Sequence, residues 1–442
     1  MGKTGLSISR SLSKSKANII YWDDDPKIRK QINQTKFKKF LNTSKVWDTI
    51  DYVVPSPGIG IIGKSQHKLI NIAKKNNKKI ISELDLFQVA ISKNDKINKN
   101  NIKIIAVTGT NGKSTIVTLI NHLLKSNGIR TSLIGNIGNS IFSSSIIRNG
   151  FFIIEVSSYQ LETSKIFSPN IAVISNLSSD HLSRHKNMRN YFNQKSKIFK
   201  NLTNDDTAIL NCNHDLIKSK ASKLLKNKKS NIISLNFEKR KTQFYSSKKK
   251  LLITSKLRKI KYSNPHLNGE HNEENVQISY QVLSSLQLKN LSIKKALNSY
   301  IGLNHRQELI FDNNKTMIIN DSKATNIESM VRAIKNYKNI YLICGGVLKD
   351  KDLNILLPYV NKLKKVYITG VDKKLFINFF SNTNKIFASS NLNEIIRECY
   401  SDIDLKKHST ILFCPGAASF DQYKNFEERG KKFKKLITRK FI

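Results

Sequence analysis

Residues 106–115 read Ala-Val-Thr-Gly-Thr-Asn-Gly-Lys-Ser-Thr, and the run leading into them, Ile102 to Val107, is apolar and β-branched. A buried strand that feeds a glycine-rich turn and then a helix start is how a chain builds a cradle for nucleotide phosphates. Gly109 and Gly112 let backbone N–H groups approach phosphate oxygens across the turn Thr110-Asn111, and Lys113 adds a point charge. The Ser114 hydroxyl is placed to ligate Mg²⁺, and Thr115 continues the helix start. The spacing is Gly-x-x-Gly-Lys-Ser. The first glycine of the strict eight-residue pattern would fall at Val107, so this is a shortened form of the loop.

A chain of 442 residues is long enough for about three domains. Its formal charge of +44 would ordinarily point to a nucleic-acid partner. Here Lys far outnumbers Arg, and the excess is spread along the whole length, so clusters such as Lys248-Lys249-Lys250 and Lys431-Lys432 read as solvated faces. No nucleic-acid partner is expected, although anionic substrates would still be drawn in. Cys212, Cys344, Cys399 and Cys414 form no Cys-x-x-Cys pair and read as reduced thiols of a cytoplasmic protein. No apolar run reaches the roughly 18 residues of a membrane helix, and the N-terminus lacks the apolar stretch of a signal peptide.

The chain is expected to be α/β throughout, in three domains. In residues 1–91, strand-like Asn18 to Trp22, Tyr52 to Val54 and Lys79 to Ile81 alternate with helical segments in a Rossmann-like pattern. Gly2-Lys3-Thr4-Gly5-Leu6-Ser7 looks like a turn entering a helix over 7–16, and no strand precedes it. Either the sequence begins about one strand late, or the sheet lacks an inner strand. A polar linker is expected from Ser92 to Asn101. The central domain, 92–300, opens with the phosphate loop, continues in strands Phe151 to Val156, Ile171 to Asn176 and Ala208 to Asn211, and closes on antiparallel hairpins over 244–262. Residues 301–442 repeat an open, Rossmann-like sheet with strands Thr316 to Asn320, Ile340 to Cys344, Lys365 to Thr369 and Thr410 to Cys414.

Chemistry-bearing groups gather at the carboxyl ends of these strands, the edge where such sheets bind ligands. Glu155 ends one strand beside the phosphate loop and can complete a Mg²⁺ shell begun by Ser114. His181 follows Asp180, and His185 lies four residues on. The companion Glu of a zinc motif is missing, so a single histidine near Mg²⁺ or substrate is the better reading. Lys195 reads by composition as a solvated lysine, or as one that CO₂ could carbamylate beside a dinuclear metal site. Asn272 and Asn275, in Gly269 to Asn275, either read an adenine edge or cap a helix. Arg306 suits a polyphosphate, and Asp321-Ser322-Lys323-Ala324-Thr325-Asn326 is dense in ribose-binding and anion-binding groups. Gly345 to Lys349 and Ala417 to Gln422 end two more strands.

Taken together, these residues resemble the Mur ligases, over essentially the whole chain. The phosphate loop, Gly135 to Gly138, Glu155-Val156-Ser157-Ser158-Tyr159-Gln160-Leu161, Asn176 to His181, Gly-Glu-His-Asn and His305-Arg306 stand in the family's order. Asp321 to Asn326 and Ser419 to Phe426 look like those of members that add D-glutamate, although a folylpolyglutamate synthetase is a neighbouring possibility. The resemblance implies an ATP-dependent ligase of peptidoglycan precursor assembly. It would join D-glutamate to UDP-N-acetylmuramoyl-L-alanine through an acyl phosphate, as a cytoplasmic monomer that engages no membrane. It further implies two Mg²⁺ ions on Ser114, Glu155, His181 and carbamylated Lys195, with Lys113, Arg306 and Lys323 neutralising phosphate charge. Asn272 and Asn275 would meet adenine and Asp321 ribose; Thr325, Lys349, Ser419, Phe420 and Phe426 would meet D-glutamate. Gly2, Lys3, Thr4, Asp23, Ser56, Gly58 and Asn136 would surround the UDP-sugar. Lys3 and Val347-Leu348 depart from the family's usual residues.

Overall fold

A computed structural model describes residues 2–32, 37–61, 66–98, 101–137, 139–143, 147, 149–227, 230–236, 241–245, 250–253, 262–267, 269–349, 351–382, 385–404 and 407–441. The chain divides into two compact units, one of Met1–Lys261 with Glu274–Ala296 and one of Tyr262–Glu273 with Leu297–Ile442. Gly138, Lys248, Lys249 and the side chain of Lys3, all singled out from the sequence, lie outside the described residues.

The first unit opens with a helix over Lys3–Lys14. It starts four residues earlier than the sequence suggested, because Gly2 caps it in an extended conformation and the Leu6 amide donates to Gly2 O, so Gly5 is carried inside the helix. Two short parallel pairs follow: β1 (Ile20–Tyr21) with β2 (Lys38–Lys39), and β3 (Tyr52–Val53) with β4 (Lys79–Ile80). Phe40, Trp47 and Ala73 form their small core. The expected linker after Ala90 is not one. The helix that starts at Glu83 runs on to Asn98, since the polar stretch contains no Gly or Pro to stop a helix already propagating.

The large sheet of this unit comprises β5 (Ile102–Thr108), β6 (Thr131–Gly135), β7 (Gly150–Glu155), β8 (Ile171–Ile174), β9 (Thr207–Asn211), β10 (Asn231–Asn236), β11 (Lys241–Tyr245) and β12 (Lys250–Ile253), in the order β12-β11-β10-β9-β8-β5-β7-β6. β5 to β10 are parallel, and β11 and β12 turn back antiparallel. A parallel strand needs both faces covered, and β5 accordingly buries every residue but Lys103. β5 has β8 on one side and β7 on the other, so the chain reverses its direction of winding there. The loop after β5 opens at that switch point.

The second unit contains β13 (Glu308–Asp312), β14 (Thr316–Asn320), β15 (Ile340–Gly345), β16 (Leu363–Thr369), β17 (Lys385–Ala388) and β18 (Ser409–Phe413), ordered β13-β14-β18-β15-β16-β17. Only β13 is antiparallel to its neighbour. The last strand in sequence is thus inserted between β14 and β15, which brings the carboxyl ends of all three side by side. Cys344, Cys399 and Cys414 are buried free thiols and Cys212 is partly buried. Among the described residues, no helix is long and apolar enough to cross a membrane.

Candidate nucleotide and metal site

The loop after β5 is held from behind by β8. Asn176 Oδ1 accepts the Asn111 amide at 2.8 Å and the Thr110 amide at 3.2 Å, while Asn176 Nδ2 and Ser175 Oγ both donate to Asn111 O at 2.9 Å. Gly109 packs so closely that a Cβ there would collide with Ser175 Oγ. Gly112 is left-handed, with φ 76°, and caps the helix Lys113–Lys125; a Cβ there would strike the Asn275 carboxamide. Both glycines are therefore required by space and by backbone conformation, with φ 151° at Gly109 and 76° at Gly112.

Two ammonium groups converge behind this turn. Lys113 Nζ donates to Gly109 O at 3.0 Å and Thr110 O at 2.8 Å, and Lys195 Nζ donates to the same Gly109 O at 2.7 Å. Lys195, on the helix Met188–Ser196, is only 2 % exposed, which corrects the reading of a solvated lysine. Its neighbours decide this: Lys195 sits over the Tyr191 ring, 4.4 Å from the centroid, and Tyr191 itself is buried. Burial first, and the Lys113 charge second, hold its amine well below the ordinary lysine range.

Ser114, in the first turn of the helix after β5, meets Glu155, at the end of β7. Ser114 Oγ donates to Glu155 Oε2 at 2.5 Å, and Asn136, after β6, donates its amide to Glu155 O and its Nδ2 to Glu155 Oε1 at 3.3 Å. Glu155 is buried rather than on the surface. His181 has a left-handed backbone (φ 56°) at the start of the helix Leu182–His185. Its Nδ1 is 3.2 Å from the Tyr159 hydroxyl and its Nε2 3.5 Å from Asp180 Oδ2. His185 turns inward instead, bonded to Ser158 Oγ at 3.0 Å and stacked on Tyr159. The two histidines thus have different hydrogen-bond partners while both pack against Tyr159, and among the described residues no cluster of three His, Cys, Asp or Glu side chains forms a metal cage.

Three of the residues expected around a UDP-sugar follow the first short strands. The Asp23 carboxylate accepts the Asp25 amide at 2.9 Å just after β1, and Ser56 and Gly58 sit in the loop after β3, where a Cβ on Gly58 would meet nothing. Thr4 is in the first helix. Asn136 is hydrogen-bonded to Glu155.

In the second unit, the carboxyl ends of β14, β18 and β15 carry the remaining candidates. Asp321 is buried, its carboxyl pushed up to about 7 by burial against a backbone hydrogen bond from Gln307 and the Arg306 charge. The Lys323 ammonium lies over the Phe426 ring at 3.8 Å. Ser419 is buried, Thr325 half-buried, Lys349 exposed and Phe420 76 % exposed. The helix Glu270–Ser285 carries Asn272 in this unit and Asn275 in the other; Gly269 and Glu270 start the helix, so neither asparagine is its N-cap.

Three structural groups were not singled out from the sequence. Arg429 is 3 % exposed and binds Ser322 Oγ, Ser322 O and Ala417 O at 3.1, 2.8 and 3.0 Å, tying the β14 and β18 edges together. Tyr191 accepts from Thr110 Oγ1 at 3.4 Å. Tyr159 holds His181. Arg429 sits in a helix full of lysines and the tyrosines on plain helical faces, so only their helical phase hinted at burial.

Residues 107–283 match the Mur ligase middle domain. A chain from Rickettsia bellii is 34% identical over 99% of this chain and 96% of its own length, and one from Roseobacter denitrificans is 31% identical with the same coverage. The protein belongs to the Mur ligase family. Within it, both relatives carry the name UDP-N-acetylmuramoylalanine--D-glutamate ligase, as does a Wolbachia chain from Brugia malayi at 31% identity over 99% of this chain and 95% of its own. Among solved structures, a MurF ligase from Thermotoga maritima in complex with ADP aligns with a TM-score of 0.59 at 17% identity, over 89% of this chain and 99% of the other. MurC from the same organism gives 0.55 at 15% identity, over 95% and 93%. These two show the fold.

Proposed function

We propose that this chain is an ATP-dependent amide ligase that joins D-glutamate to UDP-N-acetylmuramoyl-L-alanine in the cytoplasm, as a monomer. The observation that carries the reading is full-length likeness to enzymes of that name, joined to a phosphate cradle in which Ser114, Glu155, Lys113 and Lys195 all converge. On this reading residues 1–91 bind the UDP-sugar, 92–300 bind ATP, and 301–442 bind the amino acid.

The alanyl carboxylate attacks the γ-phosphorus of ATP, ADP leaves, and an acyl phosphate forms. The amine of D-glutamate then adds to the acyl carbon, and the tetrahedral intermediate expels phosphate, leaving an amide. Three anions must meet, so repulsion is the main obstacle and positive charge the remedy. Lys113, Arg306 and Lys323 neutralise phosphate charge. Asp321 meets ribose, Asn272 and Asn275 meet adenine, and Lys349, Thr325, Ser419, Phe420 and Phe426 receive D-glutamate. Thr4, Asp23, Ser56, Gly58 and Asn136 receive the UDP-sugar.

The hydrogen-bonded hydroxyl and carboxylate of Ser114 and Glu155 are hard oxygen donors at a cradle with no room for added carbon, which fits Mg²⁺ carried in on phosphates. Ser114, Glu155, His181 and Lys195 would together hold two ions. Bound there, Mg²⁺ supplies charge neutralisation of the transferring phosphoryl group. Lys195 reaches that role as a carbamate: burial favours its neutral amine form, which adds to CO₂ and loses a proton, so that the side chain ends as an anion.

The test is release of ADP and phosphate by the purified chain. Release should require both UDP-N-acetylmuramoyl-L-alanine and D-glutamate. Equal turnover with L-glutamate overturns the specificity, and no turnover with the D-isomer overturns the reading.

A further inference from the structure

We propose that Tyr159 is a positioning residue that sets the tautomer and orientation of His181, an inference that rests on the reading of His181 as a metal ligand. Three observations carry it. The Tyr159 hydroxyl is 3.2 Å from His181 Nδ1. The other ring nitrogen, Nε2, is 3.5 Å from Asp180 Oδ2. The His181 backbone is left-handed at φ 56°, a conformation that costs energy outside glycine and persists where surroundings impose it.

A carboxylate can only accept, so Asp180 favours a hydrogen on Nε2 in the neutral ring. Nδ1 is then an acceptor, and the Tyr159 hydroxyl donates to it. A tyrosine hydroxyl carries its proton at neutral pH. Holding a divalent cation at Nε2 would require the tautomer with its hydrogen on Nδ1, and the same hydroxyl would then accept. A tyrosine oxygen serves both tautomers without moving; a backbone carbonyl or an amide N–H would serve only one. The ring of Tyr159 is fixed independently of its hydroxyl. It stacks on His185 with centroids 5.6 Å apart and an interplanar angle of 26°, and the Arg184 guanidinium lies 5.6 Å from its face. Arg184 is in turn held by Glu162 at 3.0 Å. Tyr159→Phe therefore deletes the hydrogen bond and keeps the packing.

The experiment is side-chain ¹⁵N spectroscopy of the full chain labelled at histidine, with His181 assigned from His181→Gln, in the presence of ADP and over a Mg²⁺ titration. In the unsubstituted chain without Mg²⁺, His181 should be protonated at Nε2, and Mg²⁺ should shift the hydrogen to Nδ1. In Tyr159→Phe the Nδ1 signal should move before any Mg²⁺ is added, and the Mg²⁺ midpoint should rise about tenfold, the lower end of what loss of such an outer partner costs. The His185 signals, bonded to Ser158, should stay in place and report intact packing. An unmoved His181 Nδ1 signal, an unchanged midpoint, or His181 signals that Mg²⁺ never shifts would each overturn the proposal. Failure of the ligase reading would show separately, as absent D-glutamate-dependent ADP release.

Discussion

At the scale of single residues, the phosphate loop is limited by space. Gly112→Ala would add a Cβ against the Asn275 carboxamide on a left-handed backbone, and should cost about 1–2 kcal/mol in a urea unfolding curve while weakening nucleotide binding. Glu83 gives a prediction with a sign. Its carboxyl is pushed up to about 7, by burial first, against hydrogen bonds from Gln160 and the Ile141 amide. The folded state therefore holds this proton more tightly than the unfolded chain, and stability falls as pH rises from about 4.5 through 7. Glu83→Gln should remove that dependence, gaining up to about 3 kcal/mol over the parent at pH 8 and little at pH 4, as read by unfolding at each pH. The loop was legible in the sequence because its signal is short: a strand, two glycines, a lysine and a serine in one window. The burial of Lys195 was not, because one lysine among so many carries no mark until the fold sets it on Tyr191 and Gly109.

Among elements, strands with continuous apolar runs were readable, since β5, β7, β8, β9, β14, β15, β16 and β18 each fall within or beside an expected segment. β6, β10, β13 and β17 passed unnoticed; their residues are more mixed, and β17 is an edge strand with both its end residues exposed. The helix Glu83–Asn98, half of it taken for a linker, is anchored by a carboxylate with backbone donors around it. Asp85 Oδ1 accepts the amides of Lys165, Ile166 and Phe167 at 3.1, 3.0 and 3.1 Å and Ser164 Oγ at 2.9 Å. Asp85→Ala should leave the buried Ser164 and Phe167 donors unpaired and cost about 3 kcal/mol in chemical unfolding; a loss under 0.5 kcal/mol would show that water replaces the carboxylate. Arg429 does the same for the second sheet. Arg429→Lys should not rescue it, since one ammonium cannot span Ser322 and Ala417 as the guanidinium does.

For the whole molecule the dominant quantity is a charge of +44. Such a field raises the encounter rate of polyanionic substrates and is screened within about 8 Å at physiological salt. Raising salt from 20 to 300 mM should therefore lower kcat/KM for the UDP-sugar by roughly tenfold and leave kcat nearly constant; a parallel fall in kcat would point to lost structure instead. The sequence alone determined the glycine-rich loop after β5, the α/β class and which strand ends hold the charged and polar candidates, because each is written in a few neighbouring residues. Only the tertiary structure decided that Ser114 finds Glu155 across 41 positions and Lys195 finds Gly109 across 86, and that β18 is inserted between β14 and β15. Those pairings depend on the order in which strands assemble, and that order is fixed by burying both faces of each sheet at once, a condition no local stretch of sequence contains.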